Sequence, residues 1–247
     1  MSKKTNYRHI YTLSYPLPDY LQFAMERNNG RAPIWAFPSI ADMEELSFVP
    51  LRFDNRHHVL EIFAEDTDPH VDARFKNHES LYEYVAMLQI ISPYSPKHGG
   101  TDWLVFSNKN CVGILHAFEF NHEHIDYQNR RCEIGYAFAE AVRGTGLPQR
   151  AVTHLIKYLF TQLDLLYVFA NVDVDNKRGI RFLEKLAFTT ETSFKKEEKN
   201  WTTGRKRATI CLEYFRSKQA QGRVTQYRKE ATQRNAEWRV KWRDNGD

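Results

Sequence analysis

The sequence predicts an α+β fold, in which a mixed, mostly antiparallel central sheet is flanked by helices. The stretch Cys132 to Phe138 alternates as a strand does, and a glycine-containing turn and an apolar stripe at helical spacing follow it. A second strand and helix then run on to Phe188. Two earlier strands flank the turn Asn108-Lys109-Asn110, and so short a connection makes them antiparallel. These three observations together predict helices packed on a mixed sheet.

Apolar periodicity and turn residues predict the other elements along the chain. In order, they are a strand at Ser47 to Phe53, a helix near His57 to Ala64, a helix at about Glu79 to Ile91, a loop at Ser92 to Thr101, strands at Asp102 to Ser107 and Cys111 to Phe120, and a closing strand pair at Thr189 to Ser193 and Arg207 to Tyr214 around a charged hairpin at Lys195 to Arg205. Residues 1–45 are predicted to form an arm that packs on this core through Trp35 and Phe37, because exposed aromatic side chains are costly. A disordered leader is the alternative interpretation of the arm.

The stretch from Cys132 to Phe188 contains the clearest pattern. After the turn Arg143-Gly144-Thr145-Gly146, one helix carries an apolar stripe made of Val152, Leu155, Ile156, Leu159, Phe160 and Leu163. The nearly continuous apolar run Leu165 to Val172 predicts a strand that is covered on both faces. A second helix follows, with Asp175 as its predicted N-cap and Ile180, Leu183 and Ala187 on its inner side.

The turn from Arg143 to Gly146 has the properties of an anion-binding site. A turn that opens a helix leaves backbone N–H groups unpaired at the positive end of the helix dipole. Gly144 and Gly146 lack the Cβ atoms that would keep a bulky anion from the backbone, and Arg143 adds a positive charge. The turn therefore predicts a cradle for a diphosphate, with an ordinary glycine-containing connection as the alternative. It matches neither the P-loop, since no Gly-Lys-Ser/Thr follows, nor the Rossmann pattern, whose third glycine is Gln149 here.

Together with its surroundings, this turn resembles the acetyl-CoA-binding core of the GNAT N-acetyltransferases. The resemblance is greatest to the RimJ/RimL-like branch, the ribosomal-protein N-terminal acetyltransferases. The matching features are the strand EIGYAF (Glu133 to Phe138), the turn RGTG, the long helix, the strand LLYVFANV and the segment DNKRGIRFLEKLAF. The resemblance covers about Leu46 to Phe215. Three residues depart from the branch: Pro148 replaces the last Gly/Ala of the turn, Gly179 replaces Ser or Ala, and Ala187 replaces a glycine.

The resemblance implies that acetyl-CoA is the acyl donor and that two splayed strands hold it. The residues implied to bind it are Tyr136, Ala137, Phe138, Ala139, Arg143, Gly144, Thr145, Gly146, Leu147 and Asn176. The edge from Tyr136 to Ala139 would pair with the pantetheine amides and supply an N–H that polarises the acetyl carbonyl. The helix and loop before Asp102 would form one wall of the acceptor pocket. Candidate substrate contacts in that loop are therefore Tyr94, Lys97 and His98, and a solvated connector is the alternative.

Amine acetylation needs a base for the amine and a proton for the departing thiolate. The candidate bases are Glu133, which matches the glutamate of the branch's EIGY pattern, and Glu119, near the end of the preceding strand. For either residue, a surface or strand-pairing carboxylate is the alternative. The resemblance leads us to expect a tyrosine or serine acid on the second helix, but those positions hold Leu183 and Gly179. The sequence therefore predicts no general acid, and solvent could serve.

The tail, residues 216–247, differs in composition from the rest of the chain. It holds nine basic and four acidic residues, a net charge of +5, whereas the whole chain carries +4. An apolar stripe at three- and four-residue steps predicts a helix, and its members are Val224, Tyr227, Ala231, Trp238 and Trp242. We expect this stripe to dock on the core or on a second subunit, which would make a homodimer. Contact with RNA or an acidic partner is the less favoured alternative.

Several classes of protein are excluded by composition and by short motifs. No apolar run reaches membrane-span length and the N-terminus lacks the hydrophobic region of a signal peptide, so we expect a cytoplasmic protein with no membrane contact. Cys111, Cys132 and Cys211 form no CxxC pair, which favours free thiols over disulfides. The loop His122-Glu123-His124 shows too few ligands for a metal site, and we expect no metal.

The sequence therefore predicts an acetyl-CoA-dependent N-acetyltransferase that acts by direct attack of a primary amine, either a protein N-terminal α-amine or a small-molecule amine. Protein α-amines titrate near ~8 and lysines near ~10.4, so an α-amine is more easily deprotonated at neutral pH. The predicted organisation is an arm (1–45), a GNAT domain (46–215) and a basic helical tail (216–247). The alternative function is a non-catalytic acyl-CoA-binding or interaction protein on the same scaffold.

Overall fold

Eight strands form one sheet in the part of the chain that the computed structural model describes, which is residues 40–43, 45–88, 100–118, 131–162, 165–199 and 206–244. The strands are β1 (Ile40–Met43), β2 (Leu46–Pro50), β3 (Gly100–Ser107), β4 (Asn110–Phe118), β5 (Arg131–Phe138), β6 (Tyr167–Asp173), β7 (Thr189–Lys199) and β8 (Lys206–Phe215). The helices are α1 (His57–Phe63), α2 (His78–Ala86), α3 (Leu147–Gln162), α4 (Lys177–Lys185) and α5 (Lys218–Asp244), and short 3-10 helices lie at Ala73–Lys76 and Glu140–Val142.

The strands follow the order β1-β2-β3-β4-β5-β6-β8-β7. The pair β5–β6 is parallel, while the other neighbouring pairs are antiparallel. At the predicted tight turn between β3 and β4, Asn108 and Lys109 have φ of 48° and 70°, as a two-residue hairpin requires. The mixed, mostly antiparallel sheet with flanking helices confirms the predicted fold class.

The sheet buries a separate apolar cluster on each face. On one face, α3 and α4 cover Trp103, Leu115, Ile134 and Val168, and the α3 stripe around Leu155 packs into this cluster. On the other face, α1 and α2 pack over β3 and β4, and α5 packs over β6 and β8. Strand β6 is buried on both faces, as its continuous apolar sequence predicts.

Helix α4 begins one residue later than predicted and ends with an unusual residue. The N-cap is Asn176 and not Asp175, because the Asn176 side chain accepts a hydrogen bond from the Gly179 N–H at 2.8 Å. At the other end Ala187, predicted to lie on the inner side of the helix, lies beyond it with φ of 64° and is exposed. Leu183, also predicted to lie inside, is fully buried.

The tail helix α5 docks on the core through one residue of the predicted stripe and through two residues outside it, Ala220 and Arg228. Val224 is buried as expected, and Ala220 is buried beside it, while Tyr227 and Ala231 are partly exposed. One turn after Val224, the Arg228 guanidinium binds Glu213 of β8 at 2.5 Å. The residues of α5 that contact the core therefore recur every four positions, and the last of them, Arg228, forms an ion pair. The side chains of Trp238 and Trp242 lie outside the described residues.

The sheet contains more strand than the sequence predicts at two places. The edge strand β1 lies within the predicted arm, where no strand was expected, and it pairs with β2. Strands β7 and β8 continue through Lys199 and from Lys206, so the charged residues 195–199 form a strand and not a hairpin loop. Charged residues suit an edge strand because they discourage pairing with other chains. Within the described residues, no helix is both long enough and apolar enough to cross a membrane.

Candidate functional site

A gap opens in the sheet between the parallel strands β5 and β6. The two strands pair at Arg131, Cys132 and Glu133, and the last pair is Glu133 with Phe169. Among the described residues, the rest of β5 up to Phe138 pairs with β4 alone. The other backbone edge of β5 therefore faces the gap, where an extended chain with amide groups could pair with it as an added strand.

A cavity lies beside this gap, between β5, α4 and the turn before α3. Its volume is about 140 Å³, several times the roughly 10–15 Å³ that one water needs by the same measure. Predicted donor-binding residues that line it are Tyr136, Ala137, Phe138, Arg143, Gly144 and Asn176. Gln149, in the first turn of α3, also lines the cavity. Its Oε1 is buried without a hydrogen-bond partner in the described part of the chain. The cavity thus joins the exposed strand edge to the predicted diphosphate cradle.

The turn before α3 has the backbone conformation that its glycines predict. Gly144 and Gly146 have φ of 82° and 87°, and nothing lies within 4 Å of the position that a Cβ would occupy on either. Thr145, which was also predicted to bind the donor, accepts a hydrogen bond on its hydroxyl from the Leu147 N–H at 3.3 Å and so caps the start of α3. Pro148 stands in the first turn of that helix, where its missing N–H costs little. Open space in front of two glycines at a helix start suits a bulky anion.

The charge of Arg143 is compensated by carboxylates, which the sequence analysis did not foresee. Its guanidinium binds Asp66 directly and lies 3.4 Å from Asp68. Asp68 also binds Arg178 of α4, and the Lys76 ammonium holds the same loop through the carbonyl of Asp66 at 2.5 Å. Both aspartates are largely buried, and Asp68 lines the cavity. Arg143 does bring the predicted positive charge to the rim, but carboxylates offset it, so an anion bound there would depend mainly on the backbone N–H groups of the turn.

The first turn of α4 explains one departure from the family pattern. Asn176 lines the cavity while its side chain caps α4. A Cβ on Gly179 would come within 2.7 Å of the Asn176 amide nitrogen, closer than real contacts allow. Glycine at position 179 therefore permits the amide of Asn176 to lie against the helix start.

Tyr136 places a hydroxyl in the cavity beside α4. The hydroxyl donates to the Gly179 carbonyl oxygen at 3.4 Å, and the ring packs on Phe182 at a centroid distance of 4.7 Å. Burial raises the pKa of this phenol far above its ordinary value, so the group keeps its proton at neutral pH. Sequence reasoning assigned Tyr136 to donor binding through its backbone and missed this side chain.

Glu133 lies at the closed end of the gap. It is the last residue of β5 that pairs with β6, it is 9% exposed, and it lies on the sheet face opposite Ile134 and Tyr136, as predicted. Its charge helps to raise the pKa of the Cys211 thiol to about 12, after burial and Glu213. The Glu133 carboxylate is therefore buried among residues of β6 and β8.

Other predicted site residues fall outside the described part of the chain. These are Glu119, Tyr94, Lys97, His98 and the loop His122-Glu123-His124. The three cysteines are free thiols, as predicted.

Within the described residues, one group of potential metal ligands lies close together, and it shares no residue with the cavity. It consists of His57, His58 and Glu61 in the first turn of α1. His58 Nδ1 already lies 2.8 Å from Glu61. The group is a surface histidine–glutamate contact with a neighbouring imidazole.

Comparison with known proteins identifies the fold and the family of this arrangement. The sequence profile described as "Acetyltransferase (GNAT) domain" matches residues 45–189. An uncharacterized N-acetyltransferase, p20 of Bacillus licheniformis, is 39% identical over 75 residues, which is 30% of this chain and 42% of that protein. Spermidine N(1)-acetyltransferase of Escherichia coli K12 is 32% identical over 80 residues, or 32% of this chain and 40% of that protein. These matches span about two fifths of the length of the curated relatives.

A solved structure supports the same fold over a longer stretch. Ribosomal-protein-S5-alanine acetyltransferase from Vibrio fischeri superposes with a TM-score of 0.56 and covers 74% of this chain and 98% of its own. At 15% identity this likeness concerns the fold alone.

Proposed function

The chain belongs to the GNAT acetyltransferase family, and from that premise we propose that it transfers the acetyl group of acetyl-CoA to a primary amine. One observation carries the proposal: the exposed backbone edge of β5 and the open glycine turn before α3 line a single cavity. An extended thioester donor that ends in a diphosphate needs this combination of a strand edge and an anion cradle.

The described residues fit such a donor. The edge from Tyr136 to Ala139 would pair with its amide groups and direct an N–H at the acetyl carbonyl. The turn Gly144 to Leu147 would hold the diphosphate through backbone N–H groups, because Arg143 is already paired with Asp66. A buried acceptor at the cavity agrees with a ligand that carries N–H groups, since Gln149 Oε1 has no partner among the described residues.

Glu133 is the proposed proton acceptor for the amine. It stands where β5 and β6 part, so an amine that attacks the carbonyl through the gap passes this carboxylate. Glu119 is the other candidate base from the sequence, and its variant serves as the comparison in mutagenesis.

Tyr136 is the proposed hydrogen-bond donor to the departing thiolate. Its hydroxyl lies at the Gly179 carbonyl, on the helix from which neither Gly179 nor Leu183 offers a proton. The phenol has one proton, so its hydroxyl would turn from the Gly179 carbonyl to the thiolate and stabilise it by a hydrogen bond. Burial raises the pKa of Tyr136, so the phenol would keep its proton and water would protonate the thiolate.

The acceptor is a primary amine, and two observations narrow its class. The sequence pattern EIGYAF resembles the RimJ/RimL-like branch, and a structural neighbour carries a ribosomal-protein acetyltransferase name; both would favour a protein α-amine. Two sequence relatives instead carry the name spermidine N(1)-acetyltransferase, which favours a small polyamine. Tyr94, Lys97 and His98 remain proposed acceptor contacts.

A non-catalytic acyl-CoA-binding protein is the second candidate, because positions 179 and 183 hold no hydroxyl group. The test is release of free thiol from acetyl-CoA with a panel of peptides that have free N-termini and of polyamines. Amine-dependent thiol release, with acetylated product seen by mass spectrometry, is expected. Tight binding of acetyl-CoA without turnover of any amine would favour the second candidate.

We also propose that α5 contributes to a homodimer through its distal half. The first half of α5 covers Tyr167 and Phe169 on the core, whereas Tyr227 and Ala231 are partly exposed. Removing residues 232–247 keeps the docked half and should lower the mass of the particle in solution. An unchanged mass would rule out self-association through this segment.

A further inference from the structure

The gap between β5 and β6 has a second side, away from α3 and α4, and Asn171 stands on it. Continuing the pairing of Glu133 with Phe169 by two residues puts Asn171 of β6 opposite Gly135 of β5. The neighbours of Asn171 in β6, Ala170 and Val172, point into the cluster under α3 and α4, so Asn171 points to the other face.

Asn171 carries a buried acceptor that the described protein leaves unpaired. Its Oδ1 has no hydrogen-bond partner within the described residues. A buried polar atom without a partner is costly and uncommon in folded proteins. Its position opposite Gly135 suggests that a bound N–H group is the missing donor.

His116 of β4 lies on the same face of the sheet as Asn171. It pairs with Gly135 along the edge of β5 that faces away from the gap. A Cβ on Gly135 would come within 3.1 Å of His116 Cδ2, so the absence of a side chain leaves the imidazole beside the gap. Nδ1 of His116 lies 2.8 Å from one oxygen of buried Asp102, and the other oxygen accepts the Tyr84 hydroxyl at 2.7 Å. The ring of Phe75 stacks on the imidazole at 5.4 Å.

This network fixes which nitrogen of a neutral His116 ring accepts a hydrogen bond. A carboxylate only accepts hydrogen bonds, so the proton of the neutral imidazole is on Nδ1, where Asp102 receives it. Nε2 is then left as an acceptor with a lone pair. The stacked ring and the paired carboxylate hold its direction.

Three acceptors therefore surround Gly135 on this face: Asn171 Oδ1 across the gap, His116 Nε2 on the neighbouring strand and the carboxylate of Glu133 two residues earlier. We propose that Asn171 and His116 bind the acceptor amine there together with Glu133, and that the matching ligand is a primary ammonium group with three N–H donors. This inference rests on the proposed function, because it assigns the acceptor site of the same reaction.

The placement also gives the reaction its direction. The donor cavity opens on the α4 side of the sheet, and the three acceptors lie on the opposite side of the gap. Glu133 takes one proton of the ammonium group, while Asn171 and His116 keep the two remaining N–H groups and turn the nitrogen lone pair towards the carbonyl. The N–C bond forms, the C–S bond breaks with its electron pair on sulfur, and the new amide nitrogen gives its second proton to water while water protonates the thiolate.

The test is calorimetric titration of two probes, spermidine and a peptide with a free N-terminal alanine, into full-length protein saturated with CoA. The variants are Asn171→Leu, Asn171→Asp and His116→Gln. At least one probe should bind the parent, and Asn171→Leu and His116→Gln should each weaken that probe about ten- to hundredfold, the worth of a hydrogen bond to a charged group. Asn171→Asp keeps an acceptor and should bind the probe at least as tightly as the parent.

Two further measurements separate a role in amine binding from a structural role. They are the melting temperature of Asn171→Leu and the effect of a control variant on the donor side. Asn171→Leu removes an unpaired buried acceptor, so its melting temperature should equal or exceed that of the parent. Gln149→Leu removes the other unpaired acceptor, on the donor side, and should weaken CoA but not the amine probe.

Equal probe affinity in parent and Asn171→Leu, or no binding of either probe to the parent, would overturn the inference. Probe binding that is lost in Asn171→Leu, in a protein that releases no thiol from acetyl-CoA, would uphold the acceptor site and refute the proposed catalysis. Thiol release with unchanged probe affinity in the variants would uphold the proposed catalysis and refute the acceptor site.

Discussion

Replacing Ala187 by glycine should stabilise the protein, since this alanine is held in a conformation that suits glycine. Ala187 follows α4 with φ of 64°, its N–H bonds the Glu184 carbonyl at 2.9 Å, and the next N–H, of Phe188, reaches back to Leu183 at 3.1 Å. This pair of bonds is the Schellman motif, whose left-handed residue is most often glycine. The motif directs Phe188 into the core beside Leu183 and so holds α4, which carries Asn176, against the sheet.

The expected gain follows from two opposing terms. A left-handed conformation costs a non-glycine residue about 1–2 kcal/mol. Glycine has the more flexible unfolded chain, which offsets about 0.4–1 kcal/mol of this gain. The net expectation is about 0.5–1 kcal/mol, or a rise in melting temperature of about 1–4 °C for a chain of this size.

Thermal and urea unfolding of Ala187→Gly measure the effect, with Ala231→Gly in the middle of α5 as the matched control. The same chemical change at Ala231 should destabilise by about 0.5–1 kcal/mol, because glycine is unfavourable inside a helix. Opposite signs at the two positions are the prediction. A fall in melting temperature for Ala187→Gly similar to that for Ala231→Gly would refute the reasoning.

Four further perturbations test the site and the tail. Glu133→Gln should lower turnover by roughly 10²–10⁴-fold with acetyl-CoA affinity nearly unchanged; the loss should shrink as pH rises and more amine is already neutral, and a crippled Glu119→Gln beside an active Glu133→Gln would contradict the assignment. Gly146→Val should weaken CoA binding strongly, because the φ of 87° favours glycine and the valine side chain would fill the open space in front of the turn; calorimetry with unchanged affinity in a folded variant would rule out the cradle. Asp68→Asn should tighten CoA binding several-fold at low salt and less at high salt, since it frees Arg178 at the cavity mouth and leaves Arg143 with Asp66 alone; weaker binding would show that the aspartate positions them. Deleting residues 218–247 should lower the melting temperature, with the burial of Val224 alone worth about 2 kcal/mol, and leave CoA affinity near that of the parent; an unchanged melting temperature would contradict the docking of α5.

The parts of the fold that the sequence predicts are those with a local cause. The strand at Cys132, the stripe around Leu155 and the turn at Gly144 and Gly146 each rest on a periodicity or a backbone requirement within about fifteen residues. The helix start at Asn176 was missed by one residue because Asp175 is an equally good capping type. Only the geometry of the Gly179 N–H distinguishes the two.

The parts of the site that were missed depend on residues far apart in the chain. Asp66 meets Arg143 across 77 positions, so no sequence pattern reveals that the arginine is already paired. Tyr84 and Asp102 are 18 positions apart and meet only because α2 packs over β3. Asp102 and His116 did give a signal, since each is a polar residue at an inward position of an apolar strand. Such a residue needs a partner when it is buried.

Hydrogen–deuterium exchange with and without acetyl-CoA tests most directly the central claim that the donor occupies the gap and the glycine turn. Bound acetyl-CoA should slow exchange in the β5 edge, residues 136–139, and in the turn and first helical residues, 144–149. The α5 segment from 218 to 231 should exchange at the same rate in both states. Protection confined to α5 or to the β1–β2 edge, under conditions where acetyl-CoA is bound, would contradict the account.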